Sequence, residues 1–316
     1  MKTNIGVVIV TYNRLNKLKT ALMKYDQQLL LPDYIIVVDN ASTDDTRKYL
    51  SEWEKETKSP YQRIVLTASE NRGGSGGFYL GEEAALRMDS KWVMIGDDDA
   101  YPESDYLQGI MDYINKGNED DLSIVCGKVI QNGTLNHLHR CVIDGRYKWN
   151  FFKAEKRISF KSDTEKVLDI DLVSYVGIAI NCAKMEKVGL VNKDYFIWQD
   201  DYEHSLRLRK VGRIVCLPQY NIIHETDKEH IEFSWKTYYE WRNGIDMRKK
   251  HFSSIHFFFM MLNGIMRIFL SPLKGHGLEE IGVRLRGVRD GLNGCSGKHV
   301  LYSPGWIPKS NRTERV

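Results

Sequence analysis

The sequence predicts an α/β fold with a mostly parallel sheet flanked by helices. Apolar, β-branched runs alternate with segments whose apolar residues recur at helical spacing, which is the pattern of strands covered on both faces. Polar residues gather directly after several of these runs. Because the carboxyl ends of parallel strands meet at one edge of a sheet, we expect the functional site at that edge.

Four apolar runs in the first third predict the parallel core of the sheet. They lie at residues 5–10, 35–38, 64–66 and 92–95. A helix is predicted after each of the first three. Ser42 or Thr43 is expected to cap the second helix, with acidic residues in its first turn. The glycine-rich segment 71–77 is expected to open the third helix, which runs to about Met88.

The second half is expected to complete the sheet. Strands are predicted at residues 123–129 and 214–217, a hairpin at 147–160, and two strands joined by a turn at Gly177 within 168–180. Pro218 is expected to end the strand before it. The chain then divides into a domain of residues 1–230, with halves of about 1–120 and 121–230, and a helical extension of residues 231–316.

Composition narrows the class of protein. The chain has 316 residues, enough for one large α/β domain and an appendage. Its 45 lysines and arginines nearly balance 42 acidic residues, which argues against a general nucleic-acid binder. The five cysteines are scattered without a C-x-x-C pair, so neither a disulfide framework nor a zinc site is expected. The first strand begins without an apolar signal segment, which predicts a reduced, cytoplasmic protein.

An acidic cluster directly follows the fourth apolar run. Asp97, Asp98 and Asp99 are adjacent, and three neighbouring carboxylates repel one another unless water or a cation neutralises them. Carboxylate oxygens at the carboxyl end of a strand suit Mg²⁺ or Mn²⁺ holding a phosphate-bearing substrate. The alternative interpretation is a solvated acidic turn.

The glycine-rich segment allows two interpretations. It lacks the Gly-Lys-Ser/Thr of a P-loop, and Tyr79 stands where a dinucleotide fingerprint needs its third glycine. The segment is then either a flexible loop or a turn whose backbone N–H groups approach a phosphate or a sugar. The second interpretation makes donor-site candidates of Asn71, Gly73, Gly74, Ser75, Gly76 and Gly77.

Two further motifs carry possible chemistry. Asp200 and Asp201 follow Trp198 and either cap the next helix or provide a general base whose pKa is tuned by its neighbours. His224 follows a strand and is either a structural histidine or a metal ligand. His137 and His139 have no partner at a ligand spacing and are interpreted as structural.

Taken together, these motifs resemble the inverting glycosyltransferase family 2, on the GT-A fold, over residues 4–230. The resemblance implies that residues 1–120 bind a nucleotide sugar and 121–230 an acceptor. It implies that Asp39 meets the uracil or ribose and that the acidic cluster is the metal–diphosphate DXD motif. The donor contacts that it implies after the strands are Thr11, Tyr12, Asn13, Arg14, Asp39, Asn40, Asp97 and Asp98.

The family's ED-x-E-x-x-x-R segment corresponds to residues 200–207, with Asp200 in place of the leading Glu. By this resemblance Asp201 is the catalytic base, and Trp198 and Asp200 lie at the acceptor. Mg²⁺ or Mn²⁺ is then held by Asp97, Asp99 and His224. A nucleotidyltransferase is disfavoured because it would need a glycine-rich loop after the first strand, where residues 11–14 stand.

The glycine segment, the acidic cluster and the W-x-D-D segment together resemble the galactofuranosyltransferases, and to a lesser degree the rhamnosyltransferases, of surface-polysaccharide assembly. This implies transfer from UDP-galactofuranose, or alternatively dTDP-rhamnose, to a glycan or polyprenyl-diphosphate-linked acceptor in O-antigen or capsule synthesis. A non-catalytic subunit that binds a nucleotide sugar is the alternative from another class, and the intact acidic residues at both clusters argue against it.

The extension contains an apolar segment at residues 252–270 after a predicted helix at 232–250. Polar residues interrupt the segment, which argues against a membrane-spanning helix. Three interpretations stay open: a helix on anionic lipid at the inner face of the cell membrane, a helix buried against the core, or an interface between copies of the chain. The apolar face comprises Ile255, Phe258, Phe259, Leu262, Met266 and Phe269.

Overall fold

The computed structural model describes residues 2–117, 119–143, 155–157, 167–226, 233–275 and 277–309. The predicted hairpin at 147–160 lies largely outside the described residues. The strands are β1 (Ile5–Thr11), β2 (Tyr34–Asp39), β3 (Gln62–Thr67), β4 (Trp92–Asp97), β5 (Ala100–Pro102), β6 (Leu122–Gln131), β7 (Thr134–Leu135), β8 (Arg140–Ile143), β9 (Glu155–Arg157), β10 (Leu168–Ile170), β11 (Leu172–Val173), β12 (Ile178–Asn181) and β13 (Arg213–His224).

Helices cover the sheet and form the C-terminal extension. They are α1 (Leu15–Asp26), α2 (Thr46–Glu54), α3 (Gly73–Ala85), α4 (Tyr106–Lys116), α5 (Cys182–Val188), α6 (Asp200–Leu208), α7 (Lys236–His251), α8 (Ser254–Phe269) and α9 (Leu278–Leu292).

The central sheet is mostly parallel, as the sequence predicts. Its strand order is β10-β13-β6-β12-β4-β1-β2-β3, in which β12 runs antiparallel to both of its neighbours. Both faces are covered, because Val7 of β1 belongs to one buried cluster with Leu18 and Ile110 while Val8 belongs to another with Phe78. This double coverage explains why the strands read as continuous apolar runs.

The glycine-rich segment is part of a helix, so its interpretation as a flexible loop is wrong. Helix α3 begins at Gly73 and packs closely on β1. A Cβ added to Gly77 would lie 2.5 Å from Val10 Cγ1, and one added to Gly81 would lie 2.3 Å from Val8 Cγ1. Two of the glycines in this helix therefore allow it to approach the strand.

Two local expectations are corrected. Helix α2 begins at Thr46, and Ser42 and Thr43 do not cap it, because they bond across to the loop after β1. Asn13 N donates to Ser42 Oγ at 3.0 Å, and Thr43 N donates to Asn13 Oδ1 at 2.7 Å. Asp44 and Asp45 precede the first turn instead of lying in it.

Pro218 does not end its strand. The pairing of β13 with β6 jumps from Leu217–Gly127 to Asn221–Lys128, so Pro218 lies in a bulge where no ladder hydrogen bond is required of it. Strand β13 therefore continues to His224, which pairs with Ala100 at the start of β5.

The extension packs against the rest of the chain. Helix α7 lies on α9, and Tyr239 of α7 contacts Phe196 with ring centroids 5.2 Å apart. Helix α8 buries His256 and Ile268 but leaves the opposite face open, so burial against the core accounts for only one side of this helix. Among the described residues, no helix combines the length and the apolar character needed to span a membrane.

The close approach of α3 to β1 predicts a stability difference between two glycine positions. Gly81→Ala should lower the free energy of unfolding by about 1–3 kcal/mol, because its Cβ meets the Val8 side chain. Gly282→Ala, in α9, should raise it by about 0.5–1 kcal/mol, because among the described residues the added Cβ meets nothing within 4 Å besides its chain neighbours and its own helix backbone. Urea unfolding measures both, and equal shifts would contradict the packing described.

Candidate functional site

The carboxyl ends of the central strands bring the predicted polar residues to one edge. Thr11 pairs with Asp39 at the end of β1 and β2, and Val10 pairs with Asp97 at the end of β4. The loops that follow these strands therefore emerge side by side. His224, at the end of β13, lies next to them because β13 pairs with β5 immediately beyond Asp99.

The acidic cluster is built into the turn between β4 and β5, which excludes its interpretation as a solvated acidic turn. Asp98 is buried, accepts a hydrogen bond of 2.7 Å from Thr11 Oγ1 and lies 3.3 Å from Arg14 Nη1. Asp99 is also buried, with Arg14 Nη1 at 2.8 Å and Lys17 Nζ at 3.6 Å. Arg14 and Lys17 thus supply positive charge to the cluster.

Asp97, Asp99 and His224 form a group able to hold a metal ion. One ligand atom from each lies within 4.8 Å of the others. His224 Nε2 is 3.2 Å from Asp99 Oδ1, and its buried Nδ1 has no hydrogen-bond partner among the described residues. Two carboxylates and an imidazole are a donor set that fits a divalent cation.

The three carboxylates have different proton affinities. Burial raises the pKa of Asp97 well above its usual range, and the charges of Asp99 and Asp98 raise it further. Burial raises the pKa of Asp98 to about 6, against the opposing charge of Arg14. Burial also acts to raise the pKa of Asp99, but the hydrogen bond and charge of His224 bring it below its usual range. Asp99 is therefore ionised at neutral pH, as a carboxylate ligand of a cation must be.

His139 contacts His224, one of the metal-ligand candidates. Its sequence context did not indicate this position. Its ring contacts His224 edge to face, with centroids 5.2 Å apart, and its nitrogens bond Ser174 Oγ at 2.5 Å and Gln131 Oε1 at 3.0 Å. Burial lowers the pKa of His139 to about 3, so the ring is neutral at neutral pH. It supports His224 without adding a charge.

The loops after β2 and β3 are tied together by asparagine side chains. Asn40 Nδ2 donates to Gly73 O at 2.8 Å, and its Oδ1 accepts from Arg72 N at 3.0 Å. Asn71 Oδ1 accepts from Gly73 N at 2.8 Å. These bonds fix the first turn of α3 against the end of β2.

The remaining donor candidates differ in their availability. Asp39 is fully buried; its Oδ1 accepts from Ser42 N at 2.8 Å, and its Oδ2 lies 3.5 Å from Arg47 Nε but has no hydrogen-bond partner among the described residues. Tyr12 is exposed at the edge of the site. Gly74 is the least obstructed of the clustered glycines, because a Cβ there would meet only Phe78, at 3.9 Å.

The second acidic pair begins α6 and faces the same site. Asp200 is buried, and its charge is one of the influences that raise the pKa of Asp97, so the two acidic clusters are neighbours. Burial raises the pKa of Asp200 to about 6. Burial and then the charge of Asp200 raise the pKa of Asp201 to about 8. Asp201 therefore binds and releases a proton in the range that a general base requires.

A buried, hydrogen-bonded group of three side chains, Glu82, Tyr175 and His204, was not predicted from the sequence. Tyr175 Oη donates to Glu82 Oε1 at 2.7 Å and also bonds His204 Nδ1, while Glu82 Oε2 accepts from Val191 N at 2.7 Å. Glu82 is on α3 and His204 on α6, so the group joins the two helices that flank the site. Each of these side chains is unremarkable in the sequence, and only the fold brings them together.

Solved structures share this architecture. The structure of S. aureus TarS residues 1–349 in complex with UDP-GlcNAc superposes with a TM-score of 0.61 at 16% identity, covering 93% of this chain and 81% of that one. The structure of GalNAc-T7 with UDP, GalNAc and Mn²⁺ gives a TM-score of 0.58 at 15% identity, over 84% of this chain and 57% of that one. These likenesses establish a GT-A fold.

Sequence comparison gives the family. The galactofuranosyltransferase GlfT1 of Mycolicibacterium smegmatis is 26% identical over 210 residues, which are 66% of this chain and 66% of that relative. The family described as glycosyl transferase family 2 matches residues 6–173, more than half of the chain. With the GT-A architecture and the acidic residues at its carboxyl edge, this match shows that the chain belongs to glycosyl transferase family 2.

Proposed function

We propose that this protein is an inverting, metal-dependent glycosyltransferase that moves galactofuranose from UDP-galactofuranose to a glycan or polyprenyl-diphosphate-linked acceptor in cell-surface polysaccharide synthesis. The observation that carries the proposal is the juxtaposition of two acidic groups at one sheet edge. Asp97, Asp99 and His224 are arranged for a cation, and Asp200 and Asp201 carry raised pKa values beside them. The named activity of the mycobacterial relative supports the choice of sugar.

The proposed contacts to the nucleotide sugar use polar groups that the protein itself leaves without a hydrogen bond or open to a ligand. Asp39 Oδ2 is a buried acceptor that Arg47 Nε approaches only to 3.5 Å, and it is suited to an N–H or O–H group of the uridine. Tyr12 and Asn13 lie in the loop after β1, which bonds the loop after Asp39 through Asn13 N and Ser42 Oγ. The N-terminus of α3 around Gly74 is open to a sugar or a phosphate. dTDP-rhamnose is the competing donor, and it would occupy the same groups.

Asp97, Asp99 and His224 would hold Mg²⁺ or Mn²⁺, and the imidazole favours Mn²⁺ of the two. When bound, the ion offsets the charge that develops on the departing diphosphate. Arg14 already lies beside this position, with Nη1 2.8 Å from Asp99 Oδ2, and adds a fixed positive charge toward the same diphosphate.

The transfer itself is a single in-line displacement. Asp201 takes the proton of the acceptor hydroxyl, and the oxygen forms a bond to the anomeric carbon from the face opposite the diphosphate. The bond between that carbon and the diphosphate oxygen breaks at the same time, and its electrons leave with UDP. One displacement inverts the configuration without a covalent sugar–enzyme intermediate. Trp198, partly exposed at the site, offers an apolar ring for the acceptor.

The exposed face of α8 supports contact with a membrane that carries the acceptor. Ile255, Phe258 and Phe269 are 66%, 61% and 65% exposed, and Arg267 is exposed on the same helix. An exposed apolar face on a helix that also carries an exposed arginine suits an anionic lipid surface. We therefore propose that the protein contacts a membrane through this face of α8, with a second copy of the chain as the competing occupant of the face.

The base assignment predicts the behaviour of Asp201→Asn. Turnover should fall by about 10²- to 10⁴-fold, because the amide cannot accept the acceptor proton. Calorimetry should still detect UDP binding in the presence of Mn²⁺. The test uses a panel of UDP- and dTDP-sugars, with release of the nucleoside diphosphate as the readout. Unchanged turnover would contradict the assignment.

The pH dependence of the wild-type transfer rate provides the control for this variant. Because burial and the charge of Asp200 raise the pKa of Asp201, the rate should rise with pH through the neutral to weakly alkaline range. The residual rate of Asp201→Asn should lose this rise. Pyrophosphate release in place of a nucleoside diphosphate would indicate a nucleotidyltransferase, and no release from any donor would indicate a binding subunit.

The metal assignment predicts weaker Mn²⁺ binding in Asp99→Asn and in His224→Ala. The dissociation constant, measured by electron paramagnetic resonance without nucleotide, should rise at least about tenfold. Asp120→Asn removes an exposed carboxylate away from the site and is the matched control. Equal Mn²⁺ affinity in all of these variants would contradict the assignment.

The membrane proposal predicts the behaviour of a triple variant, Phe258→Ser, Leu262→Ser and Phe269→Ser. Each large side chain contributes up to about 1.5–3 kcal/mol when buried, so sedimentation with anionic liposomes should fall at least about tenfold. Leu29→Ser replaces a 72% exposed leucine of the catalytic region and should change nothing. Equal sedimentation of all three proteins would rule out this contact, and a change of oligomeric state confined to the triple variant would favour the second copy.

A further inference from the structure

The loop before the catalytic acids has an unusual backbone. Phe196, Trp198 and Gln199 have φ angles of 67°, 65° and 69°, in the left-handed region that L-residues other than glycine seldom adopt. Gln199 directly precedes α6, whose first two residues are Asp200 and Asp201. The direction in which α6 leaves the loop, and thus the position of its first carboxylates, depends on holding this conformation.

One side chain of the extension, Asn243, restrains the backbone of this loop. Asn243 Nδ2 lies 2.9 Å from each of three backbone oxygens of the loop, those of Tyr195, Ile197 and Trp198. Its Oδ1 accepts a bond of 2.8 Å from Arg242 Nε. Asn243 is 1% exposed, so water cannot replace these bonds without an opening of the structure.

Arg242 completes the attachment. It is also 1% exposed, and its Nη2 donates to Tyr195 O at 2.9 Å while its Nη1 donates to Gly297 O at 2.6 Å. The guanidinium fork therefore joins the loop to the segment after α9. Both residues belong to α7, outside the part of the chain that matches the family.

The other side of the loop contacts the donor half. Phe196 O accepts a bond of 3.2 Å from Ser75 N in the first turn of α3. A Cβ at Gly73 would lie 1.9 Å from the same oxygen, so only glycine permits this approach. The loop is thus held between α3, which bears donor-site candidates, and α7.

We propose that Arg242 and Asn243 are positioning residues through which the C-terminal extension sets the loop 195–199, and with it Trp198 and Asp201, against the bound donor. This inference rests on the proposed function and deepens it. The extension then has a role in the transfer step itself, besides any contact with a membrane.

Asn243→Asp tests this inference because it keeps the shape of the side chain and removes the amide donors. The rate of sugar transfer should fall about 10²-fold, the size of effect expected when reacting groups are misplaced. UDP–Mn²⁺ affinity should stay unchanged, because the donor groups are untouched. Hydrogen exchange should accelerate at residues 196–202 and not in the central strands.

Two further variants complete the test. Arg242→Lys keeps the charge and loses the guanidinium fork. It should show a smaller fall in the transfer rate and a smaller acceleration of exchange at residues 196–202 than Asn243→Asp. Asn263→Asp, on α8, is the matched control and should leave transfer and exchange unchanged. Wild-type transfer rates in Asn243→Asp, or exchange that accelerates equally throughout the molecule, would overturn the inference. If the wild-type protein transfers no sugar, the proposed function fails, and the exchange at residues 196–202 still decides whether Asn243 orders the loop.

Discussion

Three adjacent carboxylates at the end of a buried strand are the constraint around which this molecule is arranged. Asp97, Asp98 and Asp99 cannot all be charged in a partly dry site without compensation. The loop after β1 contributes Arg14, α1 contributes Lys17, and β13 passes through a bulge at Pro218 to bring His224 into contact. A site that collects this much compensating charge around oxygen ligands is suited to a cation and an anionic diphosphate.

The second acidic pair, Asp200 and Asp201, depends on a different kind of restraint. These acids lie at the start of α6, where burial and mutual repulsion raise their pKa values, and they follow a loop with disfavoured backbone angles. Hydrogen bonds from α7 hold that loop, while the Glu82–Tyr175–His204 group joins α6 to α3. Contacts from the extension and from α3 therefore both hold α6 and the loop before it. The contacts from the extension come from beyond the segment that matches the family.

Much of the fold could be predicted because its signals are local. The apolar runs and the acids that follow them predict the parallel strands and the edge at which polar groups gather. The misinterpretations have long-range causes: Gly77 and Gly81 allow α3 to pack against β1, and Ser42 bonds Asn13 instead of capping α2. The support given by His139 and Asn243 could not be predicted, because it depends on contacts with residues 45 to 85 positions away along the chain.

The central claim is that Asp97, Asp99 and His224 unite a divalent ion with the donor diphosphate beside Asp201. The most direct measurement is anomalous diffraction at the manganese edge from crystals soaked with MnCl₂ and UDP. The account predicts one strong peak within coordination distance of Asp99, His224 and the diphosphate oxygens. A bound UDP with no peak at these residues, or with the manganese held elsewhere, would contradict it.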